Sequence, residues 1–354
     1  MKKISKQATV VGIDLSDKKH QICALDKNGT IVSEKTFINT RRGLDKLSSE
    51  FPAALMAMEI GTHSPWISHH LEAKGHRVIV ANARKLRAIY SNDRKSDRRD
   101  AQMIAKLARA DEDLLYPIRH NSMGCIEDRQ HLSVRDNLVK QRVSLINSVR
   151  FSLKSLGCQL RTTSSARFVS YVHEDAEISE HHLSLVAPLL RVIASISEEI
   201  KKLDSYITNE LCDKYPIAKR LMQIQGVGPI TAVSFVLTIE DASRFENPRT
   251  VGAYLGLVPR RDQSGCVDKQ LPISKAGNRG LRTLLVQCAQ YIMRSNSIDS
   301  DLKRHGLRIA NKGEKSAKRK AIVGVARKLS VVMLTLWQQE RDYEPLKALK
   351  AKAC

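Results

Sequence analysis

With 354 residues, the chain is long enough for two or three domains and a sizeable core. Its 59 Lys and Arg against 37 Asp and Glu give a formal net charge of +22 and a pI near 9.8, a surplus that favours a polyanionic partner bound through counterion release. No apolar run approaches membrane-spanning length, the start Met1-Lys-Lys-Ile-Ser-Lys6 lacks a signal-peptide core, and seven cysteines carry no C-x-x-C pair, so membrane, secreted and zinc-ribbon classes are set aside for a cytoplasmic protein.

The first 112 residues alternate strand and helix signals. Thr9-Val-Val-Gly-Ile13 reads as a buried strand ending at Asp14. His20 to Leu25 follows, then the turn signal Asn28-Gly29 and a return strand from Thr30 to Phe37. A short helix begins near Thr40, and a second apolar run, Ala53-Ala-Leu-Met-Ala-Met58, ends at Glu59. A helix over 65–73, a strand over 77–80 and a helix over 99–110 complete the series. An antiparallel meander followed by parallel β-α-β units is the order of an RNase-H-like domain. From Glu127 to Leu156 and from Ser184 to Leu211, apolar residues recur at three- and four-residue steps, which predicts a helical hairpin or coiled coil. Beyond Pro216 the pattern is mixed: a Gly226-Val-Gly228 turn between apolar stretches, a loop-rich segment from Gly252 to Gly280, and helices over 281–294 and 316–340. The expected division is 1–112, 113–213 and 214–354.

Four acids carry the chemistry. Asp14 and Glu59 stand at strand ends, and Asp97 and Asp100, in Lys95-Ser-Asp-Arg-Arg-Asp-Ala101, share one face at a helix start. Taken singly, each would more often be solvated than catalytic. Together, and in this order, they form a hard-oxygen set suited to Mg2+ (or Mn2+), the ions that assist phosphoryl transfer. Asp17 and Asp93 are the nearest decoys, Asp17 being expected to face solvent. Gly226 and Gly228 fit either a helix-hairpin-helix turn offering backbone N–H groups to a DNA phosphate or an ordinary glycine connector. Arg260, Arg261, Lys275, Arg279 and Arg282 gather around Ser264 and Ser274, serines that on chemistry alone are more often turn residues or caps. Lys318, Arg319 and Lys320 lie in a basic tract from Lys312 to Lys328. The histidines show no metal-ligand spacing, and with 5% aromatic residues, backbone contact is a better expectation than base stacking.

Asp14, Glu59, the Lys95–Ala101 signature, Gly226-Val-Gly-Pro-Ile-Thr-Ala232, Tyr254-Leu-Gly-Leu-Val-Pro-Arg-Arg-Asp-Gln-Ser-Gly265 and Ser274-Lys-Ala-Gly-Asn278 follow one another as in the DEDD transposases of bacterial insertion sequences, the RNA-guided bridge recombinases, which the chain resembles over nearly its whole length. The resemblance implies an α/β plus α fold: a RuvC-like N-terminal domain, a coiled-coil middle and a mainly α transposase domain. It implies that Asp14, Glu59, Asp97 and Asp100 bind metal and that Ser264 is the nucleophile. It also implies a tetramer acting on donor and target DNA with a noncoding bridge RNA. One departure is visible: many members read Ala-Thr-Gly and an aromatic after the glutamate, where this chain has Ile60-Gly-Thr-His-Ser-Pro-Trp66. Two alternatives stay open on the residues alone. One is a Holliday-junction resolvase-like nuclease that activates water, and the other a non-catalytic nucleic-acid-binding assembly protein.

Overall fold

The computed structural model describes residues 8–83, 85, 96–264, 267–313 and 316–347. It divides into two compact units, Met1–Gly124 and Cys125–Cys354, each taken by itself below. Asp93, Lys95, Gly265, Glu314 and Lys315, all members of the sequence motifs, lie outside the described residues.

In the first unit, β1 (Val10–Asp14), β2 (Lys19–Leu25), β3 (Ile31–Ile38), β4 (Leu55–Glu59) and β5 (Val78–Ala81) form one sheet in the order β3-β2-β1-β4-β5. β1 runs antiparallel to β2 and parallel to β4, and β4 runs parallel to β5. The β2–β3 turn is closed by Asp26, whose Oδ1 accepts from the backbone N–H of Asn28 and of Thr30, both at 2.9 Å. Period-2 alternation sends Val11, Ile13, Met56 and Met58 to one face, where they pack with Leu44 and Leu47 of α1 (Arg41–Glu50) and Ile67 and Leu71 of α2 (Ser64–Ala73). The opposite face takes α3 (Asp97–Ala110), which buries Ala101, Ile104, Ala105 and Ala108. Small residues let this helix lie close to the sheet. A Cβ built on Gly12 would stand 2.3 Å from the Ala101 carbonyl oxygen and 2.5 Å from the Ala105 nitrogen. Gly12→Ala must therefore push α3 outward, and about 1–3 kcal/mol of lost stability is expected from such overpacking. A urea midpoint equal to wild type would show that the helix is not seated this way.

The second unit is mostly helical. α4 (Met123–Ser155) and α6 (Glu180–Tyr206) form an antiparallel pair, tied by Arg135 to Asp204 at 2.5 Å and by Arg142 to Ser197 at 3.5 Å. At the far end, Ile146, Val149 and Leu153 meet Val186, Leu190 and Ile193. The connector between the two helices has weak periodicity, yet it contains α5 (Phe168–Glu174) and buries Phe168 beneath Arg150. The remaining core collects α7 (Pro229–Ile239), α8 (Arg279–Ile292), α9 (Asp301–Ala310) and α10 (Ala317–Gln338). Contrary to the expectation that no run reaches membrane-spanning length, α10 is long and apolar enough to cross a membrane by composition alone. Its Val325, Ala326, Leu329, Met333 and Leu334 are all fully buried in this core, which accounts for the apolar run.

The segment read as loop-rich contains a hairpin, β6 (Pro259–Ser264) with β7 (Val267–Ile273). All six residues of β6 are exposed, so no apolar/polar alternation marks it as a strand in the sequence.

Candidate active site

Asp14 and Glu59 end adjacent parallel strands, with Ile13 opposite Met58, so their backbones lie about 4.8 Å apart. Asp14 shares the face of Val10 and Gly12, and Glu59 that of Leu55 and Ala57, which is the face α3 covers. The direction of α3 follows from its ends. Arg109, near its C-terminus, reaches the β2–β3 turn at Lys27 O (3.5 Å), beyond the start of β1. Arg98 and Gln102 hold Glu34 on β3. α3 therefore runs antiparallel to β1 and brings its first turn, with Asp97 and Asp100, to the sheet end where Asp14 and Glu59 stand. Asp97 lies one turn before Ala101, and Asp100 one turn before Ile104, both on the sheet-facing stripe. Ser96 caps the helix by accepting from Arg99 N–H, and acids in a first turn also suit the helix dipole.

The structure thus brings all four acids to one end of one sheet. Their donor set, carboxylate oxygens only, fits a hard divalent cation. They are aligned rather than contracted: among the described residues, no group of three or more His, Cys, Asp or Glu side chains is gathered closely enough to hold an ion.

Ser264 lies in the second unit, at the exposed end of β6, paired with Val267 across the hairpin. Asp262 pairs with Lys269, so Asp262, Ser264 and Lys269 share one hairpin face. Arg261 projects from the other face, in an ion pair with Asp268 whose Nε–Oδ1 distance is 2.8 Å. That pair holds the Asp268 carboxyl below and the Arg261 guanidinium above their usual ranges. Lys269, unlike Arg261, lies on the serine's side. It escapes a reading of the sequence because strand pairing, not sequence distance, brings it there.

At the base of the hairpin two chain segments cross. Gly256 and Gly277 both have a φ of +69°, and a Cβ on Gly277 would lie 2.1 Å from the Tyr254 carbonyl oxygen. Ser274 N–H donates to Val258 O at 2.8 Å, and Lys275 occupies a left-handed conformation with φ +54°. Arg282 donates to Leu255 O at 3.0 Å and to Ala276 O at 2.7 Å, so it pins this crossing. Arg260 and Arg279 are exposed.

Gly226 takes φ +88° against Tyr291, and Gly228 is the exposed residue just before α7. Beside this turn a cleft of about 350 Å³ is lined by Thr231, Gln287, Tyr291 and Arg294. Lys318, Arg319 and Lys320 are exposed in the first turn of α10. Cations there oppose the helix dipole, so their placement does not serve helix stability. Replacing all three with Glu should leave the melting temperature unchanged or raised. It should also weaken nucleic-acid binding across sequences. The slope of log affinity against log salt should flatten by about 0.9 for each phosphate the protein no longer neutralises. An unchanged salt slope would make the tract a solvated helix face.

Two family models match in chain order. An IS110-type DEDD model described as a transposase covers residues 11–157, and one described as "Transposase IS116/IS110/IS902 family" covers 218–304. The chain is similar to the transposase of insertion sequence element IS1328 of Yersinia enterocolitica, 30% identical over 290 residues, 80% of this chain and 84% of that one. It is 26% identical over 346 residues to the transposase of insertion sequence element IS1111A of Coxiella burnetii, covering 96% and 92%. A pilin gene-inverting protein of Moraxella bovis is 23% identical over 95% of this chain and 98% of its own. The four aligned acids fall in the first matched region and the serine hairpin in the second, and with 30% identity across most of both chains the protein belongs to the IS110/IS116 family of insertion-sequence transposases, enzymes of DNA recombination.

Proposed function

We propose that this transposase excises and inserts its own element through a covalent serine–DNA linkage, with a noncoding bridge RNA pairing to donor and target DNA. The observation that carries the reading is the arrival of Asp14, Glu59, Asp97 and Asp100 at one sheet end, in the strand order β3-β2-β1-β4-β5 of an RNase-H/RuvC-like domain. Asp14, Glu59, Asp97 and Asp100 would hold Mg2+ or Mn2+, which supplies charge stabilisation at the scissile phosphate.

Ser264 Oγ attacks the phosphorus and the P–O3′ bond breaks. The serine hydroxyl loses its proton and the departing 3′ oxygen gains one, leaving a phosphoserine ester and a free 3′-hydroxyl. The reverse attack, by a 3′-hydroxyl of another strand, rejoins DNA and restores the serine. Exposure of the whole β6 strand supports this role, since a backbone phosphate can reach Ser264 together with Lys269. The Gly226–Gly228 turn, read as helix-hairpin-helix-like, and Lys318, Arg319 and Lys320 supply sequence-independent phosphate contacts. We place assembly into a tetramer on the coiled-coil-like hairpin of α4 and α6. The exposed Phe151 and Val192 support that placement, and each serine would act beside the acids of another subunit.

The test is strand cleavage with purified protein, the RNA transcribed from the DNA flanking its gene, and a donor duplex. Cleavage should require both RNA and Mg2+ and stop on chelation. RNA-independent cleavage would overturn the guided reading.

A further inference from the structure

The loop that departs from the family pattern after Glu59 meets the loop that follows Asp14. His63 Nε2 lies 2.9 Å from Asp17 Oδ1, across 46 residues of sequence. A carboxylate only accepts, so the Nε2–H of His63 donates. His63 stands four residues after Glu59, and Asp17 three after Asp14.

Each loop is separately shaped by short polar contacts. In the first, Ser16 Oγ donates to Lys19 O at 2.6 Å, and Ser16 N–H donates to the buried His20 Nδ1 at 3.3 Å. Asn39 Nδ2 donates to the carbonyls of Ser16 and Asp17, both at 3.2 Å. In the second, the fully buried Ser64 donates to Gly61 O at 2.8 Å and accepts from Gly61 N–H at 3.0 Å. His120 Nε2 adds a third bond to the Ser64 hydroxyl, at 2.9 Å. The His63–Asp17 bond joins these two preformed loops.

We infer that His63 and Asp17 are positioning residues, a clamp that fixes the spacing of Asp14 and Glu59 and so the affinity of the acidic set for a divalent cation. The inference rests on the proposed role of the four carboxylates. Asp17 is almost wholly exposed, and exposed ion pairs add little to global stability. Loss of the clamp should therefore leave the fold intact while loosening the spacing of the carboxylates. The clamp can change cation affinity by no more than the pair itself contributes, and for an exposed pair that is a few-fold.

Calorimetric titration of the full chain with Mn2+ alone tests the clamp without reference to activity. His63→Ala and Asp17→Ala should each weaken Mn2+ binding by about two- to fivefold at an unchanged melting temperature. The double variant should be no weaker than either single one, since both remove the same hydrogen bond. His63→Gln, which keeps an N–H donor, should recover most of the loss. Wild-type affinity in His63→Ala, while Asp14→Ala loses binding, would overturn the clamp and leave the acidic set standing. Wild-type affinity in Asp14→Ala would overturn the acidic set and the clamp with it. Additive losses in the double variant would show that the two residues act separately, which also overturns it.

Discussion

Ser264→Ala is expected to bind RNA and DNA as wild type does and to form no protein–DNA adduct, with strand transfer reduced by several orders of magnitude. The serine ends an exposed strand, on the hairpin face that also carries Asp262 and Lys269. Removing its hydroxyl costs the nucleophile and leaves the pairing that shapes the hairpin, which is made by backbone groups and by the Arg261–Asp268 bridge on the other face. Denaturing electrophoresis of protein mixed with labelled donor DNA separates the outcomes, because an ester survives denaturant and a non-covalent complex does not. Ser274→Ala should retain adduct formation. Its backbone N–H already bonds to Val258 O at 2.8 Å, and its place in the crossing at the hairpin base is a turn residue's place. Cleavage surviving in Ser264→Ala would favour a water-activating nuclease.

Under the proposed role, Asp14→Ala, Glu59→Ala or Asp97→Ala should each lower strand transfer by about 10²–10³-fold or more, since each would remove a ligand of the ion that stabilises charge at the phosphate. Asp14 and Glu59 end their strands and take no part in the core between the sheet and α1 and α2, so the variants should melt as wild type does. Asp100→Ala should follow the same course, as Asp100 precedes the core residue Ile104 by one turn on the stripe facing the sheet. Near-wild-type transfer by Glu59→Ala would remove the basis for a metal site on these four acids.

The acids were legible in the sequence because buried strands of a mixed sheet read as apolar runs, and the residue ending each run emerges at the end of the sheet. Helical periodicity located α3, α4, α6, α8 and α10 for the same reason. The helix α9 was not legible. Of its two buried positions, Leu302 and Gly306, the second is a glycine where a Cβ would stand 2.2 Å from Met293 Sδ, so the apolar period breaks one turn after Leu302. The β6–β7 hairpin carries no alternation in its exposed first strand to announce it. Arg282 illustrates a different limit. Composition groups it with phosphate-binding arginines, and only the fold shows that its Nη1 also donates to two backbone carbonyls of its own unit. His63 and Asp17 are far apart in sequence and meet only when two strand ends are set side by side.

The central claim, a serine ester formed beside an acidic metal site, is tested most directly by mapping the adduct. Wild-type protein incubated with RNA, donor DNA and Mg2+, then digested with nuclease and protease, should yield a single nucleotide-bearing peptide. Tandem mass spectrometry should place the phosphodiester on Ser264, and chelation should abolish the peptide. An adduct mapped to Ser274 or to any other residue, or cleaved DNA with no modified peptide, would contradict the account.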